Sequence, residues 1–199
     1  VVIHVAAFRP EKNHRLLLHA AKLVLADLPT AVFLLVGDGP ERPTVEAFAQ
    51  ELGISESFHF LGRRLDIPNL LAAADLLVLC SAPAVETFPN CVLEAMASSL
   101  PVVATDVGSV NEQVSEGESG FLVPPDDELE LANRIATLLQ DADKRARMGA
   151  AGRACVEAKF SMKRMIHARE ELFLSLVAGR GVPSGLQSTI ETASEEQVS

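Results

Sequence analysis

"LLVLCSAPAVETFPNCVLEAMASSLPVVATDVGS", Leu76 to Ser109, reads as a strand, a helix and a second strand in immediate succession. Leu76–Leu79 is continuously apolar, as a strand covered on both faces must be. Asn90–Ser98 carries helix formers behind Pro89, and Val102–Ala104 returns to a short apolar run. The same rhythm continues on either side. Further strands are expected at Val1–Ala6, Ala31–Val36, Phe58–Leu61 and Gly120–Val123, and helices at Asn13–Ala26, Glu41–Leu52, Ile67–Ala74 and Ser109–Glu116. The expected fold is α/β: a Rossmann-like doubly wound parallel sheet of about six strands with helices on both faces. After the last strand the pattern is helical only. Asp126–Gln140, Ala142–Lys159 and Ser161–Val177 are expected C-terminal helices, the last capped by Ser161. Residues 1–178 are thus expected to form one domain. Residues 179–199, rich in Gly, Ser, Thr and Glu, have too few large apolar groups to offset ordering entropy and are expected to be a disordered tail.

Composition narrows the function classes. The chain has 199 residues, 48% of them hydrophobic, enough for one sizeable core. A formal net charge of −10 argues against the broad basic face that nucleic acid or an anionic lipid surface requires, so any phosphate must be held locally. Trp and Tyr are absent, which removes the best stacking platforms for single-stranded nucleic acid. No long apolar run predicts a membrane span, and no secretory leader is expected. The odd set Cys80, Cys91 and Cys155 lacks CxxC spacing and fits a reducing, cytoplasmic compartment.

Ligands of such sheets bind beyond the carboxyl ends of the strands. The loops expected there carry the distinctive residues: "GDGP" at Gly37–Pro40, Gly62, "SAPAVETFP" at Ser81–Pro89 and "TDVGS" at Thr105–Ser109. Pro89 suits the first helical position, with Thr87 or Phe88 as cap. Glu86 then lies above the helix N-terminus. Glu94 lies one to one and a half turns into the helix, at about 3.6 residues per turn, close enough to reach a ligand across the same end. Helix N–H groups and dipole favour a diphosphate there, and a carboxylate suits the paired hydroxyls of a ribose. Blander roles stand beside these: Glu86 as a simple partner of the helix dipole, Glu94 as a solvated helix residue, Lys12 as a first-turn lysine and Arg9 as a surface arginine. The five histidines are scattered, and no DxD or His/Asp cluster is expected to hold a metal.

"ETFPNCVLEAMASSLPVVATDVGSVNEQV" resembles the E-x7-E segment of family 4 retaining glycosyltransferases of the GT-B fold. "FRPEKNHRLLLHAA", "LLVGDGPER", "FHFLGRRLDIPNLLAAADLLVLCS" and "SGFLVPPDD" are similar to the family's other segments in order and spacing, so the likeness covers most of residues 1–178. The resemblance implies the donor-binding second half of such an enzyme, with an acceptor-binding domain preceding Val1. It implies that Glu94 binds the donor ribose and that Glu86 lies against the transferred sugar. Thr87, Phe88 and Asn90 would sit near the sugar and phosphates, Gly62 and Arg63 would border the base, and Lys12 would neutralise the diphosphate. The implied partner is a nucleotide-sugar, UDP- or GDP-linked, with no separate cofactor and no protein metal site. The acceptor is left unidentified. The protein is expected to be cytoplasmic, with any membrane association left to the missing domain, and the fragment alone is expected to transfer no sugar.

One departure concerns charge. Ala7 stands where the family has an arginine, five residues ahead of Lys12, and Arg9 is the candidate replacement. The alternative function is therefore a catalytically weak or silent nucleotide-binding domain. A nicotinamide-binding Rossmann domain would need G-x-G-x-x-G after the first strand, and "AAFRPEKN" has no glycine.

Overall fold

The computed structural model describes residues 1–83 and 86–177. It divides into two units, Val1–Glu157 and the chain from Ala158 onward. Leu76–Leu79 forms β4, and all four of its residues are buried. Val78 faces a cluster with Leu17, Leu35, Phe121 and Leu131, while Leu77 and Leu79 face Ile3, Val92, Met96 and Val102 on the other side. Alternating side chains thus enter two separate cores, which is why the strand is apolar throughout.

The remaining strands are β1 (Val2–Val5), β2 (Phe33–Val36), β3 (Phe58–Gly62), β5 (Val102–Thr105) and β6 (Gly120–Val123). Their order is β3-β2-β1-β4-β5-β6, with every pair parallel. The helices are α1 (His14–Asp27), α2 (Arg42–Glu51), α3 (Ile67–Ala72), α4 (Asn90–Ala97), α5 (Val110–Gln113), α6 (Glu128–Gln140), α7 (Ala142–Lys159) and α8 (Met162–Val177). Residues of α1, α2 and α6 fill the first core, and those of α3, α4 and α5 the second. The doubly wound α/β expectation is met. Strand order reverses between β1 and β4, where the outgoing loops diverge and leave a crevice at the carboxyl edge.

The described part of α8, in the second unit, exposes Met162, Ile166, Phe173 and Leu174. Its start follows the expected cap, the Ser161 hydroxyl accepting the Arg164 N–H at 3.4 Å. The expected disordered tail at 179–199 lies outside the described residues. Among the described residues, no helix is long and apolar enough to cross a membrane.

Candidate active site

β1 delivers the chain to the crevice through Ala6–Arg9. The Phe8 N–H donates to the Asp38 carbonyl and the Glu41 N–H to the Phe8 carbonyl, each at 3.1 Å. These bonds lay the loop against the turn after β2. Gly37 makes the approach possible: it has φ +141°, and a Cβ there would lie 1.9 Å from the Ala6 carbonyl oxygen. Phe8 points inward, fully buried and stacked on His14 at 4.3 Å. Ala7 and Arg9 point outward, and with Asp38, Arg63 and Arg64 they line a cleft of about 730 Å³. Arg64 is committed to Asp66 through two hydrogen bonds of 2.8 and 2.6 Å. Arg63 has no ion-pair partner among the described residues.

Two histidines form the floor beneath this loop. His4 and His14 are buried and meet edge to face with ring centroids 4.8 Å apart. The His4 Nδ1 pairs with the Val78 carbonyl at 2.8 Å. Burial pushes the His4 imidazole down to about 4 and His14 to about 3, the neighbouring His4 and Lys12 adding to the second shift. Both rings are neutral core groups at pH 7.

A short 3₁₀ turn, Pro10–Lys12, then runs into Asn13, whose left-handed φ of 45° redirects the chain into α1. The Glu11 carbonyl accepts the Ala82 N–H at 2.8 Å, tying this turn to the loop after β4. Lys12 thereby reaches Glu86, and its ammonium pairs with Glu86 Oε1. The Glu86 side chain is 7% exposed and that of Lys12 21%. The same Oε1 accepts the Ser81 hydroxyl at 2.6 Å. Ser81 is held in turn by the Thr105 hydroxyl, which donates to its carbonyl at 2.7 Å. Gly108, at φ +54°, passes so close that a Cβ would lie 1.8 Å from the Glu86 carbonyl oxygen. The Ser109 N–H and hydroxyl both donate to the Thr87 carbonyl.

Asn90 is the first residue of α4, as the expected span has it, but its N-cap is Pro89 rather than Thr87 or Phe88, so Pro89 does not take the first helical position. The proline ring fixes φ at −68°, yet ψ is extended at 117°, so helical geometry begins only with the next residue. Thr87, Phe88 and Asn90 are exposed at this end. Glu94 is exposed in the second turn, its carboxylate without a hydrogen-bond or ion-pair partner among the described residues. Cys91 marks where the site charges converge. Burial pushes its thiol up to about 12, and the fields of Glu86, Lys12 and Glu94 all reach it. The crevice therefore gathers one cation and two carboxylates around the first turns of α4, with helix N–H groups and dipole at the same end.

Of the residues singled out in the sequence, Lys12 and Glu86 are in direct contact, and Glu94 shares their surroundings without touching either. Arg9 and Arg63 line the adjoining cleft. Gly62 ends β3 at φ +65°, where its carbonyl accepts the Gly37 N–H at 2.9 Å. The roles of Ser81, Thr105 and Gly108 were not foreseen. The signal lay in small and hydroxylated residues at the carboxyl ends of adjacent strands, facing a loop glutamate.

The protein-family model described as glycosyl transferases group 1 matches residues 1–154. The N-acetyl-alpha-D-glucosaminyl L-malate synthase of Bacillus anthracis is 30% identical over 177 residues, 89% of this chain and 46% of that protein. The D-inositol 3-phosphate glycosyltransferase of Corynebacterium urealyticum is 36% identical over 157 residues, 74% and 37% of the two chains. The chain thus spans about half the length, or less, of these curated relatives. Among solved structures, Anabaena HepE in complex with UDP superposes with a TM-score of 0.81 at 33% identity, covering 87% of this chain and 48% of that one. The C-terminal domain of the group 1 glycosyl transferase LpcC from Francisella tularensis gives 0.71 at 25% identity, covering 81% and 86%. A sheet of order β3-β2-β1-β4-β5-β6, a charged crevice at its strand-order reversal and a family match across most of the chain together make this protein a member of the glycosyl transferases group 1 family, with a Rossmann-like domain of the GT-B type.

Proposed function

We propose that this chain is the donor-binding domain of a retaining glycosyltransferase that moves a hexose from a nucleotide-sugar to an acceptor held by a preceding domain. The observation that carries this is the convergence of Lys12, Glu86 and Glu94 around Cys91 at the N-terminal end of α4. Crystal structures of the Anabaena relative with UDP and with UDP-glucose support UDP-glucose as the first donor to test.

In this proposal the diphosphate lies across the first turn of α4, where N–H groups and the ammonium of Lys12 meet its oxygens. The Lys12 ammonium has three protons, so it can keep Glu86 and still donate to phosphate. The Glu94 carboxylate, exposed and without a hydrogen-bond or ion-pair partner among the described residues, accepts the two ribose hydroxyls. Glu86 faces the sugar, with Thr87, Phe88 and Asn90 beside it. Gly62 and Arg63 border the base, and Arg9 adds charge near the phosphates. When the bond between anomeric carbon and phosphate oxygen breaks, its electron pair leaves with the diphosphate. Lys12 and the helix N–H groups stabilise that charge in fixed positions, while the acceptor hydroxyl oxygen bonds to the carbon from the face the diphosphate leaves and passes its proton to the departing phosphate oxygen.

A second proposal, a catalytically weak or silent nucleotide-binding domain, is favoured by Ala7, which presents no charge to the cleft. Titration calorimetry with UDP, GDP and ADP tests binding. Glu94→Gln is expected to weaken the bound diphosphate by about 1–3 kcal/mol, whereas Glu86→Gln leaves it nearly unchanged. Equal losses in both variants would contradict this division of roles. Turnover by the complete protein separates the two proposals; sugar transfer by residues 1–199 alone would refute the need for a preceding domain.

A further inference from the structure

We propose that Ser81 is a positioning residue for Glu86, turning that carboxylate so that one oxygen is held by the protein and the other is left for the donor sugar. This rests on the proposed role of Glu86 against the sugar. Ser81 lies two residues beyond the end of β4 and is fully buried. Its hydroxyl meets Glu86 Oε1 at 2.6 Å, a distance typical of a hydrogen bond to a charged acceptor. Lys12 takes the same oxygen. Glu86 Oε2 has no partner among the described residues, so it is the acceptor still available to a ligand hydroxyl.

The base of this arrangement is fixed from two sides. Thr105, buried at the end of β5, donates its hydroxyl to the Ser81 carbonyl at 2.7 Å. The next residue, Ala82, donates its N–H to Glu11 in the turn that carries Lys12. Ser81 therefore inherits its place from three adjacent segments, the end of β4, the end of β5 and the turn before α1. It passes that order to a carboxylate carried by a loop. A loop glutamate with a free rotor would share its two oxygens among Lys12, water and ligand. A second donor on Oε1, fixed by the fold, removes that choice before the ligand arrives.

A purely structural serine would satisfy its own buried hydroxyl and do no more. The two roles separate in ligand selectivity. In the complete protein, affinities for UDP and UDP-glucose, and for GDP and GDP-mannose, are measured for the parent, Glu86→Gln, Ser81→Ala, Ser81→Thr and Thr105→Val, with thermal unfolding recorded in parallel. Ser81→Ala is expected to weaken the nucleotide-sugar about 5–10-fold, the scale of one hydrogen bond, while changing the nucleoside diphosphate less than about twofold. Ser81→Thr, which keeps the hydroxyl, restores most of the loss. Thr105→Val, one link further back and isosteric, is expected to lose about threefold with the same selectivity. If Glu86→Gln weakens the nucleotide-sugar selectively but Ser81→Ala and Thr105→Val weaken neither ligand, or both equally, Ser81 does not position Glu86 and the role of Glu86 stands. If Glu86→Gln itself leaves nucleotide-sugar affinity unchanged, the role of Glu86 falls and that of Ser81 with it.

Discussion

On one side of the strand-order reversal, the loops after β4 and β5 and the turn before α1 close on Glu86 with Ser81, Lys12 and the Gly108 backbone. On the other side, the loops after β2 and β3 leave Arg9 and Arg63 in an open cleft. Both regions are rich in charge, yet they hold it differently. The Glu86 side chain is 7% exposed, so its charge is stabilised by groups already in position and in low dielectric. The side chain of Arg9 is 64% exposed, and its charge faces water and a 3.8 Å ion pair with Glu11 that solvent screens. Substitutions in the first region should therefore act by displacing groups that the fold holds in place, and those in the second through screened ligand electrostatics.

The largest expected effect breaks the closed side. Gly108→Ala would put a Cβ against the Glu86 carbonyl oxygen at a positive φ, so the backbone must move. Urea denaturation should show a loss of about 3 kcal/mol or more. A loss under about 1 kcal/mol would mean that the two loops part easily and that Glu86 is not held as described.

An intermediate effect probes the floor shared by both regions. His4 and His14 are held neutral when folded, at about 4 and about 3, whereas in the unfolded chain they titrate near 6.5. Below that value the unfolded chain takes up protons that the folded chain refuses. Their contribution to stability is therefore complete above about pH 6.5 and is lost as pH falls towards 4 and then 3. His14→Phe, which keeps a ring on Phe8, should flatten the acid limb of a stability profile by at most about 1.4 kcal/mol per pH unit. An unchanged acid limb would show that His14 protonates in the folded state without penalty.

The smallest effect belongs to the open side. Arg9→Ala should weaken UDP by up to about 1 kcal/mol, with no loss of fold stability and with the difference shrinking as salt rises. A salt-independent loss would place Arg9 in a desolvated contact and erase the contrast between the regions. A parent-like affinity would leave Ala7 uncompensated, and a gain in Ala7→Arg would then support the weak-enzyme proposal.

The architecture was legible because a parallel sheet covered on both faces writes each strand as an uninterrupted apolar run; Leu76–Leu79 and Gly120–Val123 match the expected spans residue for residue. Ends were less legible. The fifth helix is Val110–Gln113 rather than Ser109–Glu116, since Ser109 is engaged with the Thr87 carbonyl and Glu116 bridges to Gly120. Glu86, Glu94 and Lys12 could be singled out by spacing and resemblance. Their partners could not, because Ser81 and Thr105 meet only after strands 24 residues apart are paired. The burial of His4 and His14 was equally hidden, since His4 is a lone polar residue in an apolar run, His14 stands among the polar residues Lys12, Asn13 and Arg15, and only packing brings the rings together.

β1 comes first along the strands and sits in the middle of the sheet, hydrogen-bonded to both β2 and β4. The contact of His4 with Val78 and that of Lys12 with Glu86 each join residues 74 apart. During synthesis, therefore, β1 can pair with β2 early but must keep its other edge bare until β4 has been made. Loop closure over that span makes the crevice a late event in folding, formed together with the centre of the sheet rather than added to a finished scaffold. Until then the exposed edge of β1 is open to pairing with another chain, so conditions that slow translation or folding between Phe33 and Leu79 should favour aggregation before they affect the mature protein.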